Sequence, residues 1–492
     1  MEKFDVIICG AGISGLYCAQ KILEQANTKG EKIRLAILES RPQVGGRIRT
    51  TNFTSYPDTA VELGAMRFLE NHYLVSSLVK KYKLATHTFS SVNNLYHLRG
   101  KAFTNPEAFI NQDRYHLEKN ESGMTPSQLL AYAIDKVVPR ELWDFLDKTK
   151  TDEIIESNEY FTYLSNGVSL DTGFKDLLLN LVSAEAFNMI KDGSGYDSSF
   201  DNWNSREAIN HVINDFLMKS KTYTLSDGFN ALPMALESDI KKMGGEFLFN
   251  CSLKKISYRN TQNEELIYCE VEQPEKNRCK ALKAAKLILA VPQKNLIDIT
   301  YDSPQFSSKE TKELLQLVIP QPAIKVFLTF DNTWWNQLNN KIDLAITDMP
   351  LRKVYYSQRA QSSGGVLLAA YADMNDFNFW NGFIDEKQPE ECRAPKKMVQ
   401  TITGMLSKLH NIKIPDPTDS KVIRWSNDHA GAAFHAWKPG IDCVKKMEQI
   451  LKPIENMPVF ICGEAYSRYQ CWIEGALYSA ECLLNKHFRI NS

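Results

Sequence analysis

One run of residues has the types and spacing to do chemistry at once: Gly10-Ala11-Gly12-Ile13-Ser14-Gly15, with an acidic residue, Glu39, 24 positions after Gly15. Gly10 permits a tight turn, Gly12 lets backbone approach a pyrophosphate, and Gly15 lets a helix pack on a strand. The first N–H groups of that helix, those of Ile13 and Ser14 among them, point partial positive charge at phosphates. Glu39 would accept hydrogen bonds from ribose hydroxyls, which argues against a 2′-phosphate. A second glycine pair with an arginine, Gly45-Gly46-Arg47, adds a backbone concavity and a guanidinium fork for another pass over the pyrophosphate. Far downstream, Lys325 interrupts the apolar run Pro322–Leu328. A buried ammonium is expensive, so Lys325 either has a task or is an edge lysine that snorkels to water.

These residues need elements to hold them. Phe4–Cys9 is a nearly continuous apolar run, as a strand covered on both faces requires. A helical pattern follows through Leu16, Ala19, Ile22 and Leu23 and breaks at Asn27–Gly30, and a second strand runs from Ile33 to Leu38. This is a βαβ unit of the dinucleotide-binding type. From about Asn105 to Ser220 the periodicity is helical, with Ser127–Ile134 as one instance. Strand signals return at Phe247–Phe249 and Lys286–Val291, and a Trp- and Tyr-rich stretch from Lys325 to Tyr371 reads as sheet. Val459–Cys462 is a last strand, and a helix from about Glu474 to Leu484 closes the chain.

Composition narrows the class. The 492 residues are 43% hydrophobic and 24% charged, an ordinary globular balance that excludes disorder. Lys+Arg 58 against Asp+Glu 59 gives a net charge of −1, so no global field draws the chain to nucleic acid or anionic lipid. No apolar run reaches the ~18 residues that cross a bilayer. The 10 cysteines form no CxxC pair, so no metal centre is expected, and several sit in apolar runs as small hydrophobes. With no secretory signal pattern ahead of the strand at Phe4, a cytoplasmic location is expected.

The glycine motif, Gly45-Gly46-Arg47 and the C-terminal Cys462-Gly463-Glu464-Ala465-Tyr466-Ser467 with Trp472-Ile473-Glu474-Gly475-Ala476 occur in the order that resembles the flavin amine oxidase family. The resemblance runs from Asp5 to about Leu484 and implies FAD as cofactor. It implies an α/β fold: a Rossmann-type FAD-binding domain (1–70, 223–305, 421–492) interleaved with a mixed-sheet substrate domain (71–115, 306–420) and a helical insertion (116–222). It also implies cofactor contacts at Gly10, Gly12, Ile13, Ser14 and Gly15, at Glu39 and Ser40, and at Gly46 and Arg47. Further contacts fall at Gly64, Ala65, Met66, Arg67 and Leu253. At the C-terminal end they fall at Gly463, Glu464, Trp472 and Ile473, with Glu464 meeting the ribityl or pyrophosphate.

Glu62-Leu63-Gly64-Ala65-Met66-Arg67-Phe68 looks like the GxMR motif of L-amino-acid oxidases within that family. Arg67 then clamps an α-carboxylate bidentately, Tyr371 supplies a second, phenolic contact, and Lys325 holds a water beside the flavin and assists its reaction with oxygen. Trp472 walls the substrate cavity. Cys471 stands where relatives have a glycine whose carbonyl binds the substrate amine. Phe434 and Trp437 are candidates to line the side-chain pocket, and His435 reads either as a base or as a structural histidine. The implied reaction is oxidation of an L-amino acid, of basic or polar side chain, by hydride transfer, with oxygen as co-substrate. The products are a 2-oxo acid, ammonia and peroxide. An amino-acid 2-monooxygenase, a polyamine or monoamine oxidase, and a flavin-binding scaffold remain alternatives, and family habit leaves a homodimer open.

Overall fold

The computed structural model describes all residues except 90–92, 141–142, 144–170, 218–219, 262–263, 274–277, 357–363, 427–430 and 491–492. Part of the expected helical stretch, and Asn427 and Asp428 in the segment approaching the last strand, lie outside the described residues.

β1 (Glu2–Cys9) is buried without interruption from Val6 to Cys9 because neighbours cover both its faces. α1 (Ile13–Lys29) buries Leu16, Ala19, Ile22 and Leu23 and stops at Gly30, whose φ of 69° ends the helix in a left-handed turn. β2 (Leu35–Leu38) is wholly buried beside β1. Both belong to a seven-stranded sheet in which Arg278–Leu289 is the branch point. That strand runs parallel to β1 on one side, while on the other it takes an antiparallel partner, Glu264–Gln273, and then a parallel one, Val459–Ile461. It begins well before the apolar run at Lys286, because its first half alternates (Leu282 and Ala284 buried, Ala281 and Lys283 less so) and carries no continuous hydrophobic signal. The C-terminal ends of β1, β2 and Val459–Ile461 point to one edge, where an open α/β sheet binds its ligands.

The Trp- and Tyr-rich stretch builds the middle of an eight-stranded sheet. Its centre is β3 (Ala323–Phe330), β4 (Lys353–Tyr356) and β5 (Gly365–Asp373), with β5 between the other two. Antiparallel register sets Lys325 of β3 opposite Tyr371 of β5, and Lys353 of β4 opposite the same tyrosine. Directly opposed residues share a face, so Lys325, Tyr371 and Lys353 form a row. Asn94–Leu98 joins the far side of this sheet in parallel with Leu344–Thr347. Above it lie the described helices of the middle segment. Pro126–Asp135 is started by a Thr125/Gln128 capping box, Ala184–Ser194 follows later, and Ser205–Val212 winds into a π turn at Ile213–Leu217.

β6 (Phe434–Trp437) pairs antiparallel with Val318–Gln321 in a separate two-stranded sheet, and α2 (Ile473–Leu483) packs against α1. Among the described residues no helix is long and apolar enough to cross a membrane.

Candidate active site

A long cavity of about 300 Å³ runs along the edge of the seven-stranded sheet. It gathers the three glycine segments: Gly10 and Gly12, Gly45 and Gly46, and Gly463. The geometry explains two of these glycines directly. A Cβ on Gly15 would lie 2.0 Å from the Gly10 carbonyl oxygen, so only glycine lets α1 sit on the turn. A Cβ on Gly12 would meet nothing within 4 Å, so that backbone opens onto the cavity. Gly12 caps α1 with no side-chain hydrogen bond, leaving the first N–H groups of the helix to a ligand. Glu39 is buried and already accepts from the Ala11 N–H at 2.8 Å and the Arg41 N–H at 3.0 Å. Ser40, Arg47, Gly64, Ala65, Leu253, Trp472 and Ile473 also line the cavity. An uncapped helix N-terminus, bare glycine backbone and an arginine are the donor set a dinucleotide pyrophosphate needs, so these residues fit FAD. Gly15, Met66 and Arg67 stand off the cleft: Gly15 is a packing residue, and Met66 Sδ lies 3.6 Å from Lys325 Nζ.

Glu464 lines the cavity where expected and is also held by the protein itself. Its Oε1 accepts from the His435 and Cys471 backbone N–H groups, each at 2.9 Å, and its Oε2 lies 2.7 Å from Arg47 Nη1 and 2.9 Å from His435 Nδ1. These partners fix the carboxylate in place at the cavity wall. Burial pushes its pKa up, but Arg47 and His435 outweigh burial and hold Glu464 ionised below the usual carboxylate range. It ties the pyrophosphate turn, β6 and the Cys471 turn together. His435 is fully buried in this knot, which favours its structural reading over a base.

Trp437 is also corrected. Phe434 lines the cavity, but Trp437 is fully buried in the core, donates its indole N–H to the Ser467 carbonyl and packs edge-on against Tyr466. Both residues lie on a strand, where positions three apart face opposite ways.

At one end of the cavity stands the row set by the second sheet. Lys325 is 2% exposed in a central strand, which removes the snorkelling alternative. Its Nζ donates to the Glu62 carbonyl at 3.0 Å and the Gly64 carbonyl at 2.5 Å, and sits 4.8 Å from the Tyr371 ring centroid. Burial pulls its pKa down to about 7; Glu62 opposes the shift and Arg67 adds to it.

Arg67 is held by side chains. Its Nη1 donates to the Tyr355 hydroxyl at 2.9 Å, and its guanidinium lies 5.8 Å from the Phe89 ring and 5.9 Å from the Trp472 ring. No carboxylate of the described residues pairs with it. Burial alone would weaken its charge, but the phenols of Tyr355, Tyr196 and Tyr371 more than offset burial and keep it cationic. Tyr196 and Tyr371 meet edge-on with centroids 5.4 Å apart, and Lys353 Nζ sits 3.5 Å over the Tyr196 ring. Tyr196, Tyr355 and Phe89 were not singled out from the sequence. Only the β4–β5 register, which puts Tyr355 two residues beyond the Lys353–Tyr371 pairing, could have pointed to one of them.

Cys471 lines the cavity with a φ of 72°, in the left-handed region that favours glycine. Its N–H bond to Glu464 holds that turn, and burial raises its thiol, so the sulfur is no thiolate. Trp472, next along, caps α2, stacks edge-on with His72 at 4.8 Å and donates its indole N–H to Asp215 Oδ2 at 2.7 Å.

Comparison with known proteins agrees with this layout. The family described as "Flavin containing amine oxidoreductase" matches residues 13–481. Achacin of Lissachatina fulica is 26% identical over 99% of this chain and 93% of its own length. The L-amino acid oxidase Bs29 of Bothriechis schlegelii is 25% identical over 96% of this chain and 88% of its own. Among solved structures, putrescine oxidase bound to putrescine superposes with a TM-score of 0.73 at 16% identity, covering 99% of each chain, and so shares the fold.

Proposed function

Because this chain belongs to the flavin-containing amine oxidoreductases and is an FAD-dependent oxidoreductase, we propose that it oxidises a free L-α-amino acid to the imino acid, which hydrolyses to a 2-oxo acid and ammonia. The observation that carries this reading is Arg67. It is a guanidinium in a cage of Tyr355, Phe89 and Trp472, without a carboxylate among the described residues, next to the Lys325–Tyr371 end of the cofactor cavity. The phenols favour the cation but carry no counter-charge at neutral pH, and a substrate carboxylate would supply one. A diamine would supply none and add two more positive charges.

Bound FAD supplies the hydride acceptor and, through oxygen, the peroxide. The chain's own residues bind and orient. Arg67 takes the α-carboxylate, the Tyr371 hydroxyl gives a second hydrogen bond, and the Cys471 carbonyl accepts from the amine. Holding the substrate at both polar ends fixes where its Cα–H points, and such positioning is the larger part of catalysis here. The aromatic walls exclude water, which disfavours an ammonium and favours the neutral amine that can lose hydride. With its pKa drawn to about 7, Lys325 exists in both forms near neutrality and can hold or give up a proton at Nζ. The family names on both sides, L-amino acid oxidase among sequence relatives and putrescine oxidase among structural ones, make the substrate panel the test. The purified yellow protein should release peroxide and 2-oxo acid in equal amounts with L-amino acids and none with putrescine. Turnover of putrescine alone would overturn the reading.

A further inference from the structure

The contact between Trp472 and the helical layer has no role in the site described so far. Asp215 lies in the π turn Ile213–Leu217, where Ser205–Val212 ends, and π turns often mark functional positions. Its side chain is wholly buried. Oδ2 accepts the Trp472 indole N–H at 2.7 Å and lies 2.7 Å from His211 Nδ1. His211 is itself packed on Trp203 at 4.7 Å and Phe216 at 5.2 Å, so the carboxylate is held from behind. The Arg67 guanidinium lies over the same indole ring, 5.9 Å from its centroid, with His72 edge-on at 4.8 Å. This segment of the helical layer thus reaches the cavity wall by a hydrogen bond that the wall requires, because a buried indole N–H needs an acceptor.

We propose that Asp215 is a positioning residue for the substrate carboxylate clamp, acting through Trp472. Resting on the amino-acid reading above, the argument has two parts. First, the hydrogen bond fixes the indole about its side-chain torsions, so the ring presents one face to Arg67. Second, a carboxylate on the indole N–H makes the ring a better partner for a cation, which strengthens the Trp472–Arg67 contact. Asp215 itself touches neither substrate nor cofactor in this role; it sets the pose of the group that does. The Asp215–Trp472 hydrogen bond is thereby one coupling between the helical layer and the cavity wall.

The test uses the FAD-loaded enzyme with Asp215→Ala, Asp215→Asn, Trp472→Phe and the double variant Asp215→Ala/Trp472→Phe. Asp215→Ala should raise KM for L-amino acids about tenfold, the scale of a weakened buried cation–π contact, with kcat little changed. Asp215→Asn keeps an acceptor for the indole and should recover most of that loss. Trp472→Phe should raise KM likewise, and adding Asp215→Ala to it should cost nothing more. A KM for Asp215→Ala within about twofold of native, or full additivity in the double variant, would overturn the proposal. Benzoate titrated against the flavin spectrum separates this from failure of the functional reading. Benzoate binding that ignores Arg67→Met would remove the clamp itself. Binding that needs Arg67 but ignores Asp215→Ala and Trp472→Phe would remove only the positioning role.

Discussion

The cofactor cleft and the carboxylate cage are built by opposite means. The cleft is backbone: glycines at turns, an uncapped helix start and carbonyl contacts too close for any Cβ. The cage is side chains drawn from places far apart in the chain, with Arg67 before the helical layer, Tyr196 within it, Tyr355 on β4, Tyr371 on β5 and Trp472 at the head of α2. A backbone site fails completely when a Cβ is added, whereas a side-chain site fails by degrees as single contacts are removed.

The largest expected effect tests the backbone side. Gly15→Val puts a branched side chain onto the Gly10 carbonyl, 2.0 Å from where its Cβ would sit. Overpacking of this kind costs about 3 kcal/mol or more, and the variant should purify without yellow colour, as flavin absorbance will show. Retained FAD would mean the turn has more slack than its geometry allows.

Next comes Lys325→Met. The Glu62 and Gly64 carbonyls lose their donor, and the native dependence of turnover on a group titrating near pH 7 should vanish from a pH–rate profile. The sign is set by burial. The free amine dominates above about pH 7 in the fold but only above about 10.4 in the unfolded chain. Native stability should therefore rise between those values, and the variant's should not. A persisting step near pH 7 would assign it to another group.

Tyr355→Phe removes one hydrogen bond to Arg67 and should raise KM by roughly threefold to tenfold, a loss of about 1 kcal/mol, with FAD content unchanged. The smallest effect is Cys471→Gly. Relieving a φ of 72° offsets the extra freedom of an unfolded glycine, so stability should shift by no more than about 1 kcal/mol. KM should stay near native, because the carbonyl and its Glu464 tether remain. A large rise in KM would show that the cysteine side chain itself shapes the pocket.

The same division explains what the sequence made legible. Gly10 to Gly15, Glu39 and Gly45-Gly46-Arg47 stand out because backbone geometry demands particular residue types at fixed spacing. Arg67 and Lys325 were found through motif and through a charge in an apolar run. Tyr196, Tyr355 and Phe89 carry no local signature, since an aromatic in a strand or helix is most often core. They become neighbours only through strand register and the seating of the helical layer. Trp437 was placed in the pocket for want of strand parity, which sends it and Phe434 to opposite sides. The protein partners of Glu464 leave no mark in the sequence, because Arg47, His435 and Cys471 come from three separate segments.

The most direct measurement is steady-state peroxide release by the FAD-loaded Arg67→Met enzyme against its best L-amino acid. Losing a charge-assisted, two-point grip should raise KM by roughly 100-fold while the flavin stays bound. A KM equal to that of the native enzyme would contradict the assignment of Arg67 and, with it, the amino-acid reading of the site.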